Sequence, residues 1–103
     1  MEVAFVTFGT PDFSMARAEH RRSIEKFGHR VFSYDIGSEP IHLARDKNPA
    51  IARQPRGYGF WVWKPYIIEA AMDAVEPGAF VFYTDIAVTL ARSPQPLLDI
   101  AKD

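Results

Sequence analysis

The sequence has no cysteine, which excludes disulfides, zinc–thiolate sites and thiol catalysis and fits a reducing compartment. It also lacks any apolar run near the roughly 20 residues that span a bilayer. There is no basic excess: twelve Lys and Arg stand against thirteen Asp and Glu, for a formal net charge of -1. A nucleic-acid surface normally shows such an excess, so that class of partner is not expected. The first residues, Met1-Glu2-Val3-Ala4-Phe5-Val6, carry an acid and no basic cluster, and read as a strand rather than a secretion signal. No internal repeat or low-complexity tract is present. The expectation is a soluble, cytoplasmic protein whose 103 residues form a single domain, residues 1–103.

What is there reads as α/β. Val3 to Phe8 is apolar except for Thr7, as suits a strand buried on both faces of a parallel sheet. Gly9-Thr10-Pro11-Asp12 then opens a helix, with Phe13, Ala16, His20, Ile24 and Phe27 on one face and Gly28 as its stop. Arg30 to Asp35 predicts a second strand. Pro40, Pro49 and Pro55 break up the next stretch and leave room for a short helix over 41–47. A helix beginning near Pro65 would turn Ile68, Met72 and Val75 inward, ending at Pro77-Gly78. Phe80 to Thr84 predicts the third strand, and Leu97 to Lys102 a last short helix. Right-handed crossovers then give a three-layer fold: a parallel sheet of order 2-1-3 with helices on both faces. Ligands bind such sheets at the carboxyl ends of the strands, where the order switches, so the ends of strands 1 and 3 should share a crevice.

The chemistry concentrates in one block, Arg56-Gly57-Tyr58-Gly59-Phe60-Trp61-Val62-Trp63-Lys64-Pro65-Tyr66. Lys64 stands at the start of a helix, where a cation opposes the helix dipole. A bound anion would resolve that conflict; so would a side chain that swings into solvent or finds an acid. One of Trp61 and Trp63 should pack in the core, leaving the other to stack on a flat ring. Gly57 and Gly59 allow close backbone approach or a simple turn, and Arg56 can grip a diphosphate or sit on the surface. Asp85 ends the third strand, where a carboxylate can hold Mg²⁺ or Mn²⁺ or merely cap a turn. His20 reads as a packed histidine rather than a base, and no Ser-His-Asp arrangement is legible.

The aromatic block, with Pro77-Gly78 and Phe82-Tyr83-Thr84-Asp85 after it and Val6-Thr7-Phe8-Gly9 before it, resembles a bacterial glycosyltransferase-like family with a GT-A-like nucleotide-sugar-binding domain. The chain looks like the N-terminal half of such a domain. The resemblance implies that Thr7, Phe8 and Gly9 border the nucleotide of a nucleotide-diphosphate sugar donor. It implies that Arg56, Tyr58 and one of Trp61 and Trp63 line the donor site, with Lys64 near the diphosphate. Asp85 takes the place of the metal-linked acid, which makes Mn²⁺ or Mg²⁺ the implied cofactor. The sequence departs from that pattern at Asp85-Ile86-Ala87, where the family reads Asp-Ala-Gly.

Three functions follow: sugar transfer within an oligomer or assembly, nucleotide or sugar-phosphate binding without turnover, and a purely interacting role. Because strand 3 is apolar on both faces yet would lie at an edge, the 80–84 edge is expected to be covered by a second copy or another protein.

Overall fold

A computed structural model describes residues 2–56, 59 and 61–102 of the chain. Three strands form one parallel sheet of order β2-β1-β3: β1 (Val3–Phe8), β2 (Arg30–Tyr34) and β3 (Phe80–Tyr83). Ala4 pairs with Arg30 and Phe8 with Tyr34 along one side of β1; Val3 pairs with Phe80 and Val6 with Tyr83 along the other. The ladder to β3 runs one step further, through Thr84 N–H to the Val6 carbonyl at 3.0 Å. All six residues of β1 are buried, as its apolar run requires of a central strand.

Helices cover both faces. A 3₁₀ turn at Pro11–Phe13 leads into α1 (Ser14–Glu25), which packs on one face over Val3, Phe5, Ile24, Val31 and Leu98. The opposite face carries α2 (Glu39–Lys47) and α4 (Lys64–Asp73), which enclose Val6, Phe8, Ile41, Ala44, Trp63, Ile67 and Ala71. A single turn, α3 (Pro49–Ala52), follows α2, and α5 (Gln95–Lys102) ends the chain. Successive β1 side chains thus feed alternate layers, the period-2 rule of a strand. Among the described residues no helix is long and apolar enough to cross a membrane.

Two expected helix faces differ in detail. In α4 the inward residues are Ile67 and Ala71, whereas Met72 is 58% exposed. Ile68, expected inward, is partly buried and packs against the same cluster beside the fully buried Ile67. In the first helical segment Phe13 belongs to the 3₁₀ turn, whose tighter winding takes it off the inward stripe, and it is 45% exposed. His20 and Ile24 keep their inward places.

Thr7 is fully buried and its hydroxyl has no hydrogen-bond partner. An unpaired buried hydroxyl costs about 1–3 kcal/mol, and valine replaces it at nearly the same shape. Thr7→Val should therefore leave stability unchanged or raise it by about 1 kcal/mol. Urea unfolding checks this, and a loss of stability would show that the hydroxyl is satisfied by a bound water.

Candidate functional site

The carboxyl ends of β1 and β3 open on a cavity of about 340 Å³. Phe8, Gly9 and Thr10 form its floor from β1, and Phe13 adds a ring from the 3₁₀ turn. Tyr83, Asp85 and Ile86 close it from β3 and the segment beyond, while Pro55, Trp61 and Trp63 supply the third wall. The crevice expected from the 2-1-3 order is therefore present, and five of the residues nominated from sequence share it: Phe8, Gly9, Trp61, Trp63 and Asp85. Thr7 does not line it: strand alternation puts its side chain on the side of Val3 and Phe5, the layer of α1. Tyr58 lies outside the described residues.

The two tryptophans divide the work. Trp63 is 4% exposed; its ring lies 4.4 Å from that of Phe8 and 6.3 Å from that of Tyr83. Trp61 is 44% exposed and has φ 59, which among the described residues is the one positive φ outside glycine. For a bulky L-residue the left-handed region is strained, and such strain gathers at ligand sites. The backbone here spends conformational energy to present an indole to the cavity.

Neither nominated cation lines the cavity; each lies against an aromatic ring that does. The Arg56 guanidinium lies 6.0 Å from the Trp61 ring centroid, and the Lys64 ammonium 4.5 Å from that of Tyr83. The conflict between Lys64 and the positive end of α4 is thus met in part by the negative face of a ring. Tyr83 in turn donates its hydroxyl to Asp85 Oδ1 at 3.1 Å. Burial, followed by this hydrogen bond and the charge of Asp85, pushes the Tyr83 hydroxyl well above its ordinary range, so it stays a donor at physiological pH.

Gly9 is packed by the protein itself. A Cβ there would meet Arg17 Cγ and Cδ at 3.1 Å and Ile86 Cγ1 at 3.2 Å. Arg17 ties α1 to the end of β2, donating from Nε to Ser33 Oγ at 3.0 Å and from Nη2 to the Ser33 carbonyl at 3.1 Å. Its contact with Asp35 is a looser 3.5 Å ion pair.

As a metal ligand Asp85 stands with little support. It is the one carboxylate lining the cavity among the described residues, and no three His, Asp or Glu converge anywhere among them. One of its oxygens already accepts from Tyr83. That donor set does not suit a resident ion. It suits Mg²⁺ or Mn²⁺ only where a ligand's phosphates and water complete the shell.

Sequence reasoning overlooked Thr10, Phe13, Pro55 and Tyr83 as cavity residues, while Ile86, noted as the departure beside Asp85, does line the cavity. The signal for Tyr83 was present, since it lies two positions before Asp85 and shares its side of an extended chain. Pro55 gave none, because it follows an irregular stretch whose path depends on tertiary contacts. Searched against models of protein families, curated proteins and solved structures, the chain finds no match.

Proposed function

We propose that this chain is a glycosyltransferase-like protein that binds a nucleotide-diphosphate sugar at the carboxyl ends of β1 and β3. The observation that supports it is the cavity there, walled by an exposed Trp61 in a left-handed backbone and bearing one carboxylate, Asp85. At about 340 Å³ it lies at the small end of ligand pockets, enough for one ring system rather than a whole donor. The base or the sugar ring stacks on Trp61, Asp85 accepts its hydroxyl or amide protons, and the diphosphate extends past the aromatic wall toward Arg56 and Lys64. Asp85 is the residue of the cavity that would help hold Mg²⁺ or Mn²⁺ brought by a diphosphate, and such an ion would offset the charge of the phosphates.

Binding without transfer is the second reading, and Ile86 favours it. Its side chain lines the cavity close to Gly9, and among the described residues the lining includes no histidine or second carboxylate to act as base. The place of β3 at the end of the sheet order further suits a symmetric homo-oligomer, in which a second β3 pairs with the first.

Calorimetric titration with UDP and GDP, with and without Mn²⁺, tests the site. Saturable binding that strengthens with Mn²⁺ is expected, and its absence in folded protein overturns the reading. Trp61→Gly should then weaken binding about 5- to 150-fold, the worth of one base–aromatic stack of about 1–3 kcal/mol. Stability should change by less than about 1 kcal/mol, because glycine adopts a positive φ without strain. Turnover of UDP-sugars would separate transfer from binding alone.

A further inference from the structure

The segment that brings Asp85 and Ile86 to the cavity is fastened at both ends to a single turn of α1. At its start, His20 Nε2 and Thr84 Oγ1 are hydrogen-bonded at 2.6 Å. At its far end, Ser23 Oγ accepts from Leu90 N at 2.9 Å while donating to the His20 carbonyl at the same distance. Within the segment, Val88 N donates to the Asp85 carbonyl at 2.9 Å, closing a turn. His20 and Ser23 are both buried, so these fastenings are shielded from competing water.

We infer that His20 is a positioning residue for Asp85, and that protonation of its buried ring unfastens the end of β3 and withdraws the carboxylate from its place in the cavity. His20 is fully buried, and its Nδ1 has no hydrogen-bond partner. A neutral ring tolerates this, since one nitrogen can pair with Thr84 and the other remain a bare acceptor. An imidazolium carries N–H on both nitrogens. Its Nδ1–H would then be a buried, charged donor with nothing to receive it, a costly state that ends when the ring turns outward to water. Turning outward breaks the bond to Thr84.

The surroundings of the ring agree. On its own helix, Arg21 is the charge that acts on it, and that charge opposes protonation. Just past the end of β3 the ring meets Thr84, which is not ionisable. Asp85, the first acid after Thr84, lies in the cavity and accepts from Tyr83. The segment beyond reaches α1 through a backbone amide, that of Leu90. Burial first, and Arg21 second, hold the His20 ring below its ordinary range. Between that lowered midpoint and about 6.5 the unfolded chain binds more protons than the folded one. The stability that His20 contributes is therefore complete above about pH 6.5 and is lost as the pH falls toward the folded midpoint.

The latch itself is independent of any ligand; its effect on ligand affinity rests on the donor-site reading. Both are read in one NMR titration of the full chain from neutral to mildly acidic pH, with UDP and Mn²⁺ as probe in a parallel binding series. The amides of Thr84, Asp85 and Val88 should shift with the same midpoint as the His20 ring, and UDP affinity should fall at least fivefold across it. His20→Gln places an amide nitrogen where Nε2 stands but does not titrate. It should retain neutral-pH affinity and abolish the amide shifts and the affinity loss at that midpoint. Shifts that do not follow His20, or that persist in His20→Gln, overturn the inference. Should that variant not fold, Thr84→Val keeps the histidine and removes its partner, and Asp85 and Val88 must then cease to follow the ring. A latch that titrates as described in a protein that binds no UDP at any pH supports the inference and counts against the donor site alone.

Discussion

Trp63→Ala should cost about 3–5 kcal/mol of folding stability, the usual price of truncating a large buried aromatic. Trp63 is 4% exposed and packs with Val6, Phe8, Ile41, Ile67 and Ala71 in the core layer between the sheet and α2 and α4. Its ring contacts those of Phe8 and Tyr83 add a directional component that alanine cannot replace. Domains of this kind hold roughly 5–15 kcal/mol in all, so the substitution removes a large share of it. With a urea slope of about 1–3 kcal/mol/M, the unfolding midpoint should fall by about 1 M or more. Fluorescence gives an independent check. With Trp63 gone, only the half-exposed Trp61 emits, so the folded variant should emit further to the red than the parent. A stability loss below about 1 kcal/mol would mean that Trp63 is not a core residue. Trp61→Gly is the counterpart: little stability lost, ligand binding weakened. The two residues stand two apart in sequence and differ by function because one is spent on the core and the other on the cavity wall.

That division shows where sequence reading succeeds and where it stops. The strands were legible because their signals are local: β1 occupies Val3–Phe8 as its apolar run indicates, and β2 and β3 start at Arg30 and Phe80 as expected. Parallel pairing and the 2-1-3 order followed from chain geometry, and with them the position of the crevice. Sequence could say that one tryptophan would be buried, but not which, because the choice depends on the left-handed turn at Trp61. It assigned Arg56 and Lys64 to the donor site, whereas neither lines the cavity and each lies against an aromatic ring that does. The resemblance put Thr7 beside the nucleotide, although Thr7 is fully buried and does not line the cavity. The fastening of Asp85 by His20 and Ser23 was out of reach. It joins residues 64 and 67 positions apart, and no local pattern in the chain announces such pairs.

Ile24→Ala should cost about 2–5 kcal/mol, and its effect should add to that of Trp63→Ala. Ile24 is 1% exposed and lies under α1 with Val3, Phe5, Val31 and Leu98. Trp63 belongs to the cluster on the opposite face, and the buried members of the two clusters do not overlap. Substitutions without shared partners add to within about 0.3–0.5 kcal/mol, so a double-mutant cycle in urea should show a coupling no larger than that. The milder Ile24→Val should cost about 0.5–1.5 kcal/mol and keeps the cycle measurable where the double alanine variant no longer folds. A coupling above about 1 kcal/mol would show that β1 transmits packing changes through the sheet instead of separating its layers. The consequence for the site follows from α1. Ile24 is one turn from His20 and next to Ser23, the two residues that hold the segment bearing Asp85. Loosening Ile24 should therefore raise amide exchange at Thr84 and Leu90, where Trp63→Ala, acting from the other layer, alters the cavity wall and leaves those two fastenings in place.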